Sequence, residues 1–236
     1  MESAGYVTLG RQSGLLREMQ VVANNIANAP TVGFRREGVV FSEFVQRAGS
    51  DPSVSMARGN ARHLDLTQGG LTQTGGAYDF AIQGEGFFLI ETPDGSQLTR
   101  AGAFTPGPDG ALVTLDGHRL LDGGGSPVTI PAGVGRVTMG ADGTLSAGGQ
   151  PIARIGVWLP VDPLRLRQTG SARLDGGEVV PAEGATLVQG ALEESNVDPI
   201  AELSRMIEVQ RAYEMGQGFL DREDERMRGM IRTLGG

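Results

Sequence analysis

The sequence contains neither cysteine nor lysine, and aromatic residues make up only 5% of its 236 positions. The lack of cysteine excludes a disulfide framework and any metal site built from thiolates. No apolar run approaches the roughly 20 residues that a bilayer-spanning helix needs, so no such helix is expected. The start of the chain also lacks a basic stretch followed by an apolar run and a small-residue cleavage site. We therefore expect no cleaved signal peptide.

The formal net charge of −8 is carried by the middle of the chain. Residues 48–198 hold 9 Arg against 17 acidic residues, whereas residues 1–47 and 199–236 each lie within one charge of neutrality. An acidic middle repels phosphate backbones, so nucleic acid is not an expected partner. The nearly neutral ends can pack against copies of themselves without strong mutual repulsion.

Hydrophobic spacing predicts a helix near each end of the chain. In the first, over residues 3–29, apolar side chains recur on one face at Leu15, Met19, Val22 and Ile26. Pro30 is expected to end this helix near Asn28. The second begins where Asp198 can cap the free N–H groups and Pro199 suits the first helical position.

The second helix carries a heptad pattern from about residue 203 to residue 234. Alternating steps of three and four connect Leu203, Met206, Gln210, Tyr213, Gln217, Leu220, Asp224, Met227, Ile231 and Leu234. This spacing is typical of a coiled coil, in which the polar members of the stripe fix register or partner choice. The stripe can serve packing within one chain, or it can be shared with neighbouring copies. We favour sharing, because the shorter first helix cannot cover the second along its full length.

Between the helices, short apolar or alternating segments are separated by six Asp-Gly dipeptides, and glycine numbers 38 residues in all. Asp-Gly favours tight hairpin turns, so these segments predict antiparallel strands. The predicted fold is α+β: long N- and C-terminal helices packed as an α-helical coiled-coil-like domain, with a central antiparallel β domain. The predicted divisions are 1–33 for the N-terminal helix, 34–76 for an extended connecting arm, 77–190 for the β domain and 191–236 for the C-terminal helix.

Three groups of motifs resemble the flagellar rod and hook family. The first is Ala23-Asn24-Asn25-Ile26-Ala27-Asn28, which is followed closely by Gly33-Phe34. The second is Gly84-Glu85-Gly86-Phe87-Phe88 together with Thr99-Arg100-Ala101-Gly102. The third is Leu192-Glu193-Glu194-Ser195-Asn196-Val197-Asp198 together with Gln210-Arg211-Ala212-Tyr213-Glu214. These motifs fall at the start, centre and end, so the resemblance spans nearly the whole chain.

The resemblance implies a structural subunit of the axial rod that crosses the periplasm in the flagellar basal body. Its implied partners are other rod subunits, copies of itself, and the type III export apparatus through which it passes without a cleaved signal. The short chain, its opening Met1–Tyr6 and its ending Ile231–Gly235 favour a proximal-rod member, with the distal-rod member as the alternative. In the family, the terminal helices form the inner tubes of the rod and the β domain lies outside.

The side chains that we expect at the assembly interface are apolar stripe residues and helix-borne amides. They are Leu15, Met19, Val22, Asn24, Asn25, Ile26, Asn28, Leu203, Met206, Gln210, Tyr213, Gln217, Leu220, Met227, Ile231 and Leu234. The family motif residues are Gly33, Phe34, Gly84, Gly86, Phe87, Phe88, Ser195 and Asn196. Asn28 can alternatively serve only to end its helix, since asparagine tolerates the left-handed conformation.

No catalytic, metal or cofactor site is predicted. The two histidines, His63 and His118, have no cysteine partners and belong to no recognisable motif. A different class of protein, a peptidoglycan-cleaving enzyme, remains an alternative, because such an enzyme needs paired carboxylates. Glu85, Glu91 and Asp94 lie near the predicted hairpins. A third hypothesis is a binding module whose β domain holds a carbohydrate or a partner ring.

Overall fold

The computed structural model describes the backbone of residues 2–48 and 51–234 and the side chains of residues 8–40, 62–230 and 232. The chain forms two compact units. The first contains the described residues within Met1–Ala27, Glu37–His63 and Asp198–Gly236, and the second contains Asn28–Arg36 and Leu64–Val197. Each unit is therefore assembled from segments that are far apart in the sequence.

The first unit consists of two long helices and a β-hairpin. Helix α1 spans Glu2–Asn28 and helix α2 spans Pro199–Leu234, and both lie where the hydrophobic spacing predicts them. Strands β1 (Glu37–Ala48) and β2 (Asp51–Leu64) pair as a two-stranded sheet. Asp198 caps α2 as predicted, because its Oδ1 accepts hydrogen bonds from the backbone N–H groups of Ile200 at 2.9 Å and Ala201 at 3.2 Å.

The two helices run antiparallel. Gln12 Nε2 donates to the Tyr213 carbonyl at 3.0 Å, while Asn25, further along α1, donates to Glu202, near the start of α2. Residue numbers thus rise along α1 as they fall along the facing part of α2. Six buried or half-buried positions of α2 follow one line, at Glu202, Met206, Val209, Tyr213, Gly216 and Leu220; Ala212, Gly218 and Glu223 are also half-buried.

The prediction of an α-helical coiled-coil-like domain is wrong. The unit includes a β-hairpin, and the predicted heptad does not form its buried seam: Leu203, Gln210, Gln217, Asp224 and Met227 are exposed. The buried line shares Met206, Tyr213 and Leu220 with the prediction but is otherwise displaced by one residue. The physical reason is that Asn25 of α1 draws the polar Glu202 inward and Gly216 admits the Gln12 side chain, and neither adds to a hydrophobic pattern.

The second unit is an antiparallel β structure, as predicted for the centre of the chain. The strand pairs described in this unit are all antiparallel. Its strands are β3 (Leu71–Gln73), β4 (Phe80–Gln83), β5 (Phe88–Thr92), β6 (Gly95–Thr99), β7 (Thr105–Pro106), β8 (Leu112–Val113), β9 (Arg119–Leu120), β10 (Val137–Met139), β11 (Thr144–Ala147), β12 (Gln150–Arg154), β13 (Trp158–Pro160), β14 (Arg167–Gln168), β15 (Arg173–Asp175), β16 (Val179–Pro181), β17 (Thr186–Gln189) and β18 (Ala191–Glu193). A 3-10 turn spans Pro163–Arg165.

The largest sheet of the second unit has seven strands in the order β14-β15-β6-β5-β9-β8-β7, and β10-β11-β12 form a three-stranded sheet. Two further pairs, β17-β4 and β18-β3, bring the last strands of the unit back to its first. The main core lies among these elements and includes Phe80, Phe88 and Phe104. The Phe88 and Phe104 rings meet edge to face with centroids 5.6 Å apart.

Gly102 allows β4 and the segment after β6 to approach closely. A Cβ atom at this position would lie 1.6 Å from the Phe80 carbonyl oxygen, which is backbone and cannot rotate away. The Phe80 N–H also donates to the Gly102 carbonyl at 2.9 Å, so the two backbones are held together.

We expect Gly102→Ala to destabilise the second unit by about 3 kcal/mol or more, because the added methyl group forces the two backbones apart. Gly135→Ala is the matched control: its Cβ would meet nothing within 4 Å, so it should change stability by less than about 0.5 kcal/mol. Trp158, the single tryptophan, lies in this unit, so urea unfolding followed by its fluorescence measures both variants. Equal midpoints for the two variants would contradict the close approach.

Candidate functional site

A buried carboxylate, Glu193, lies between two buried guanidinium groups in the second unit. Arg35 Nη2 is 2.6 Å from Glu193 Oε1, and Arg100 Nη1 is 2.9 Å from Glu193 Oε2. All three side chains are almost completely inaccessible to solvent. Burial lowers the pKa of Arg100 below its ordinary value, the nearby Glu193 opposes that shift, and Arg35 adds to it. The cluster therefore depends on Glu193 to offset two positive charges.

The same cluster collects the segments that carry the family motifs. The Glu193 carbonyl accepts from the Gly33 N–H at 2.8 Å, and Arg100 donates to the carbonyls of Ile82 at 3.2 Å and Gly84 at 2.7 Å. The Arg100 guanidinium also lies 5.3 Å from the centroid of the Phe87 ring. Motifs from the start, the centre and the end of the sequence thus meet at one buried site.

Glycine is required at two of these motif positions. Gly33 has a φ of 68°, and a Cβ there would lie 2.2 Å from the Ala101 nitrogen. Gly86 has a φ of 119°, and its Cβ would lie 2.4 Å from Val157 Cγ1. Both positions combine a left-handed backbone with a close approach, which only glycine accommodates without strain. Gly84, with a φ of 107°, also lies in the left-handed region.

The remaining motif residues also lie in the second unit. Phe34, Phe87 and Phe88 are buried there. Asn196 Oδ1 accepts from the Arg36 N–H at 2.7 Å, and its Nδ2 donates to the Asp65 carbonyl at 2.9 Å and the Thr67 carbonyl at 3.0 Å. Ser195 Oγ accepts from the Val197 N–H at 3.2 Å. Asn196 therefore joins the chain just before β1, the chain just after β2 and the chain just before α2.

A second polar cluster lies in the first unit around Asn25, whose side chain is fully buried. Its Nδ2 donates to the Glu37 carbonyl at 2.8 Å and to Glu202 Oε2 at 3.1 Å, and its Oδ1 accepts from the Glu37 N–H at 2.9 Å. One asparagine thus connects α1, the start of β1 and the first turn of α2. Nearby along the helices, Arg205 donates to Glu18, and this hydrogen bond raises the pKa of Arg205 above its ordinary value.

The structure separates the predicted interface residues into three groups. Leu15, Val22 and Asn25 are buried within the first unit; Met19, Ile26, Asn28, Met206, Tyr213 and Leu220 are half-buried; Asn24, Leu203, Gln210, Gln217 and Met227 are exposed. The side chains of Ile231 and Leu234 lie outside the described part of the chain. Asn28 ends α1, and its Oδ1 and carbonyl both accept hydrogen bonds from Thr31. Gln217 Nε2 donates to the Tyr213 hydroxyl at 3.0 Å.

Exposed apolar side chains are concentrated on the two helices. Of the sixteen large apolar side chains that are exposed among those described, nine lie on α1 or α2. They are Leu9, Leu16, Ile200, Leu203, Ile207, Met215, Phe219, Met227 and Met230. Each helix therefore presents an apolar surface in addition to the face that packs within the unit.

Reasoning from the sequence missed the roles of Glu193, Arg35 and Arg100, and it missed the contact of Asn25 with Glu202. The available signal was the position of charged residues inside otherwise apolar motifs, such as Arg100 beside Ala101-Gly102. His118 Nε2 is 2.8 Å from Arg173 Nη1, and His63 is exposed. Within residues 2–48 and 51–234, no three His, Asp or Glu side chains are grouped so that they could hold a metal ion. None of the helices described is long and apolar enough to cross a membrane.

Three family models match this chain. They are described as "Flagella basal body rod protein" over residues 6–35, "Flagellar hook protein FlgE/F/G D1 domain" over residues 81–147, and "Flagellar basal body rod FlgEFG protein C-terminal" over residues 188–233. The chain is 42% identical to the flagellar basal-body rod protein FlgF of Caulobacter vibrioides, over 100% of this chain and 99% of that protein. It is 38% identical to FlgF of Mesorhizobium japonicum with the same coverage, and 32% identical to FlgG of Bacillus subtilis over 91% of this chain and 92% of that protein.

The chain therefore belongs to the family of flagellar basal-body rod proteins. Members of this family are structural subunits of the rod and not enzymes, so the alternative of a peptidoglycan-cleaving enzyme is not supported. Its identity to the FlgF proteins of Caulobacter and Mesorhizobium is higher than its identity to the FlgG protein of Bacillus, so the chain is more FlgF-like than FlgG-like.

We expect Glu193→Gln to destabilise the second unit by about 3–5 kcal/mol, because it leaves two buried guanidinium groups without a counter-charge. Glu194→Gln is the matched control. Glu194 is exposed and accepts from Thr72, so its loss should cost less than about 1 kcal/mol. Urea unfolding followed by Trp158 fluorescence measures both, and a loss of stability no larger in Glu193→Gln than in the control would refute the role of the cluster.

We expect the Glu37 carboxyl to make the first unit less stable as pH rises above 4.5. Burial raises the pKa of the Glu37 carboxyl above its ordinary value of 4.5, and Arg62 only partly opposes this. A group whose pKa is raised in the folded state contributes stability that is fully present below its unfolded pKa and is lost as pH rises through the folded one.

Glu37→Gln removes that titration while keeping the size of the side chain. Its melting temperature should match that of the natural sequence below pH 4.5 and exceed it at neutral pH. Circular dichroism at 222 nm follows this unit, because both long helices belong to it. A difference in melting temperature that stays constant across this pH range would show that Glu37 does not titrate as expected.

Proposed function

We propose that this chain is a FlgF-like subunit of the proximal rod that polymerises through its terminal helices and transmits torque across the periplasm. The observation that carries the proposal is the apolar surface on α1 and α2, where nine large apolar side chains are exposed. Burial of such a surface is favourable by about 25 cal/mol per Å², and neighbouring subunits can supply that burial.

The charge distribution supports an arrangement with the helices inside and the β unit outside. The acidic excess lies in residues 48–198, most of which belong to the second unit, while the two helical ends are nearly neutral. Many copies of a neutral helix can pack closely around an axis, whereas copies of the acidic unit repel one another and favour the periphery.

The proposed partners are copies of this chain, the other proximal-rod proteins and the distal-rod protein FlgG. The chain is proposed to reach the periplasm through the flagellar export apparatus without a cleaved signal peptide. The absence of cysteine supports passage as an unfolded chain, because no disulfide has to be made or broken on the way.

Leu16→Asp tests the proposal on α1. Leu16 is exposed, so the variant should fold normally, but it should abolish swimming and leave rods incomplete, because a charge would be buried unpaired between subunits. The assay is complementation of a strain that lacks the endogenous subunit, scored on soft agar and by the content of isolated basal bodies.

Leu164→Asp is the control, since Leu164 is exposed in the second unit and should tolerate the charge. Circular dichroism and Trp158 fluorescence of both purified variants establish that they are folded. Normal motility of a folded Leu16→Asp variant would contradict the proposed role of the helices in assembly.

A further inference from the structure

The second unit contains a cavity of about 380 Å³. Three separate stretches of the chain line it: residues 30–32 after α1, residues 114–116 at the turn between β8 and β9, and residues 171–173 at the start of β15. Parts of β5, β6 and the segment after β6 complete the wall. Small-molecule sites usually have volumes of about 300–1,000 Å³, so this cavity is large enough for a small ligand.

The wall of the cavity is largely apolar. Val32, Ala101 and Ala103 line it together with Ile90, which is completely buried and therefore lies at the bottom. Leu115 also lines it and is 88% exposed, so it lies at the mouth. An apolar group that enters the cavity would remove both its own surface and that of Leu115 from water, which is favourable.

One wall of the cavity carries a positive charge on Arg173, which is half-buried. Among the side chains that the structure describes, no carboxylate forms an ion pair with Arg173. Its Nη1 is 2.8 Å from His118 Nε2, and its buried Nε has no hydrogen-bond partner. Arginine nitrogens only donate, so His118 Nε2 accepts this bond and supplies no counter-charge. The guanidinium group is therefore available to an anionic group in the cavity.

The mouth of the cavity carries a negative charge on Asp116, which is exposed in the turn with Gly117. Within the described part of the chain, no donor and no cation is bound to the Asp116 carboxylate. Asp116 does not pair with Arg173, although both line the same cavity. A molecule that carries a negative and a positive group can therefore bind both side chains at once, with charge-assisted hydrogen bonds at each end.

We propose that this cavity binds a free apolar α-amino acid in its zwitterionic form. The carboxylate binds Arg173, the ammonium group binds Asp116, and the apolar side chain enters the cavity toward Ile90. A phosphate ester is disfavoured, because a single arginine faces the acidic excess of residues 48–198. The ligand would contact stretches that are far apart in the sequence, so it should also stabilise the second unit.

Titration calorimetry of the purified full-length chain with L-valine, L-leucine and L-phenylalanine tests the proposal. At least one of them should bind at a single site with a Kd of about 1 mM or lower. The same ligand should raise the midpoint of urea unfolding followed by Trp158 fluorescence. Its N-acetyl and amide derivatives each lack one of the two charges, so each should bind about tenfold more weakly or worse.

Two variants remove the charged contacts one at a time. Arg173→Gln and Asp116→Asn should each weaken binding of the amino acid by about tenfold or more. Asp116→Asn should fold normally, because Asn-Gly favours the same turns as Asp-Gly. The matched controls are Arg136→Gln and Asp94→Asn, which lie exposed in the same unit and away from the cavity, and both should bind like the natural sequence.

The N-acetyl derivative separates a direct contact at Asp116 from an indirect effect. It has no ammonium group, so Asp116→Asn should weaken binding of the free amino acid but not of this derivative. An equal loss for both ligands would show that Asp116 does not bind the ammonium group and would overturn the proposed recognition.

Saturable binding that needs both charges of the ligand and both side chains supports the proposal. No saturable binding of any of the three amino acids up to about 10 mM would overturn it. Unchanged binding in both variants would place the ligand elsewhere and also overturn it. Urea unfolding shows which variants are folded, and if Arg173→Gln is not, Asp116→Asn decides the outcome. These measurements use the isolated chain, so they do not depend on the proposed assembly of the rod.

Discussion

The second unit depends on one buried charge, the carboxylate of Glu193. The buried guanidinium groups of Arg35 and Arg100 lie 2.6 and 2.9 Å from its oxygens, and they come from different parts of the chain. Taking charges out of water is costly, and the cost is recovered only when geometry and hydrogen bonding are good. Arg35 lies between α1 and β1, Arg100 follows β6, and Glu193 ends β18. The fold brings these three segments together at a point where none can shift without exposing a charge to an apolar interior.

The first unit is organised around a second buried polar group, the neutral amide of Asn25. Asn25 makes three hydrogen bonds, two with the backbone of Glu37 and one with the side chain of Glu202. These bonds fix how α1, β1 and α2 meet. A buried polar side chain of this kind contributes specificity, because any shift along the helix would leave its amide unsatisfied. The apolar contacts around it tolerate small displacements more easily. Polar residues therefore set the register of a unit whose hydrophobic pattern allows more than one.

The features that could be predicted from the sequence are those decided by neighbouring residues. The start of α2 follows from Asp198 and Pro199, which act within a single turn, and the β unit follows from apolar segments separated by Asp-Gly. The face of α2 could not be predicted in the same way. Positions 203, 210 and 217 and positions 202, 209 and 216 differ by one residue, and both stripes share Met206, Tyr213 and Leu220. The choice between them depends on Gln12 and Asn25 of α1, which are distant in sequence.

The candidate site shows the same limit. The motif residues around Gly33, Gly84 and Asn196 are visible in the sequence, but their meeting at Glu193 is not. Hydrophobic periodicity carries no information about which charged residues become buried, since a buried arginine and an exposed one look alike in a pattern. The exposed apolar residues of α2 were partly anticipated, because Leu203 and Met227 belong to the predicted stripe. Whether these two side chains are exposed depends on which face of α2 packs within the first unit, and the sequence pattern does not decide that.

The discontinuous composition of both units constrains the order in which the protein can fold. Arg35 and Glu193 are separated by 158 positions, and Asn25 and Glu202 by 177. A chain that emerges N-terminus first, from a ribosome or from any narrow passage, therefore lacks Glu193 and Glu202 until more than about four-fifths of its length is free. Contacts over such distances also form slowly, because a long loop must be closed before they contribute. Sequence order alone thus delays folding until the far end of the chain arrives.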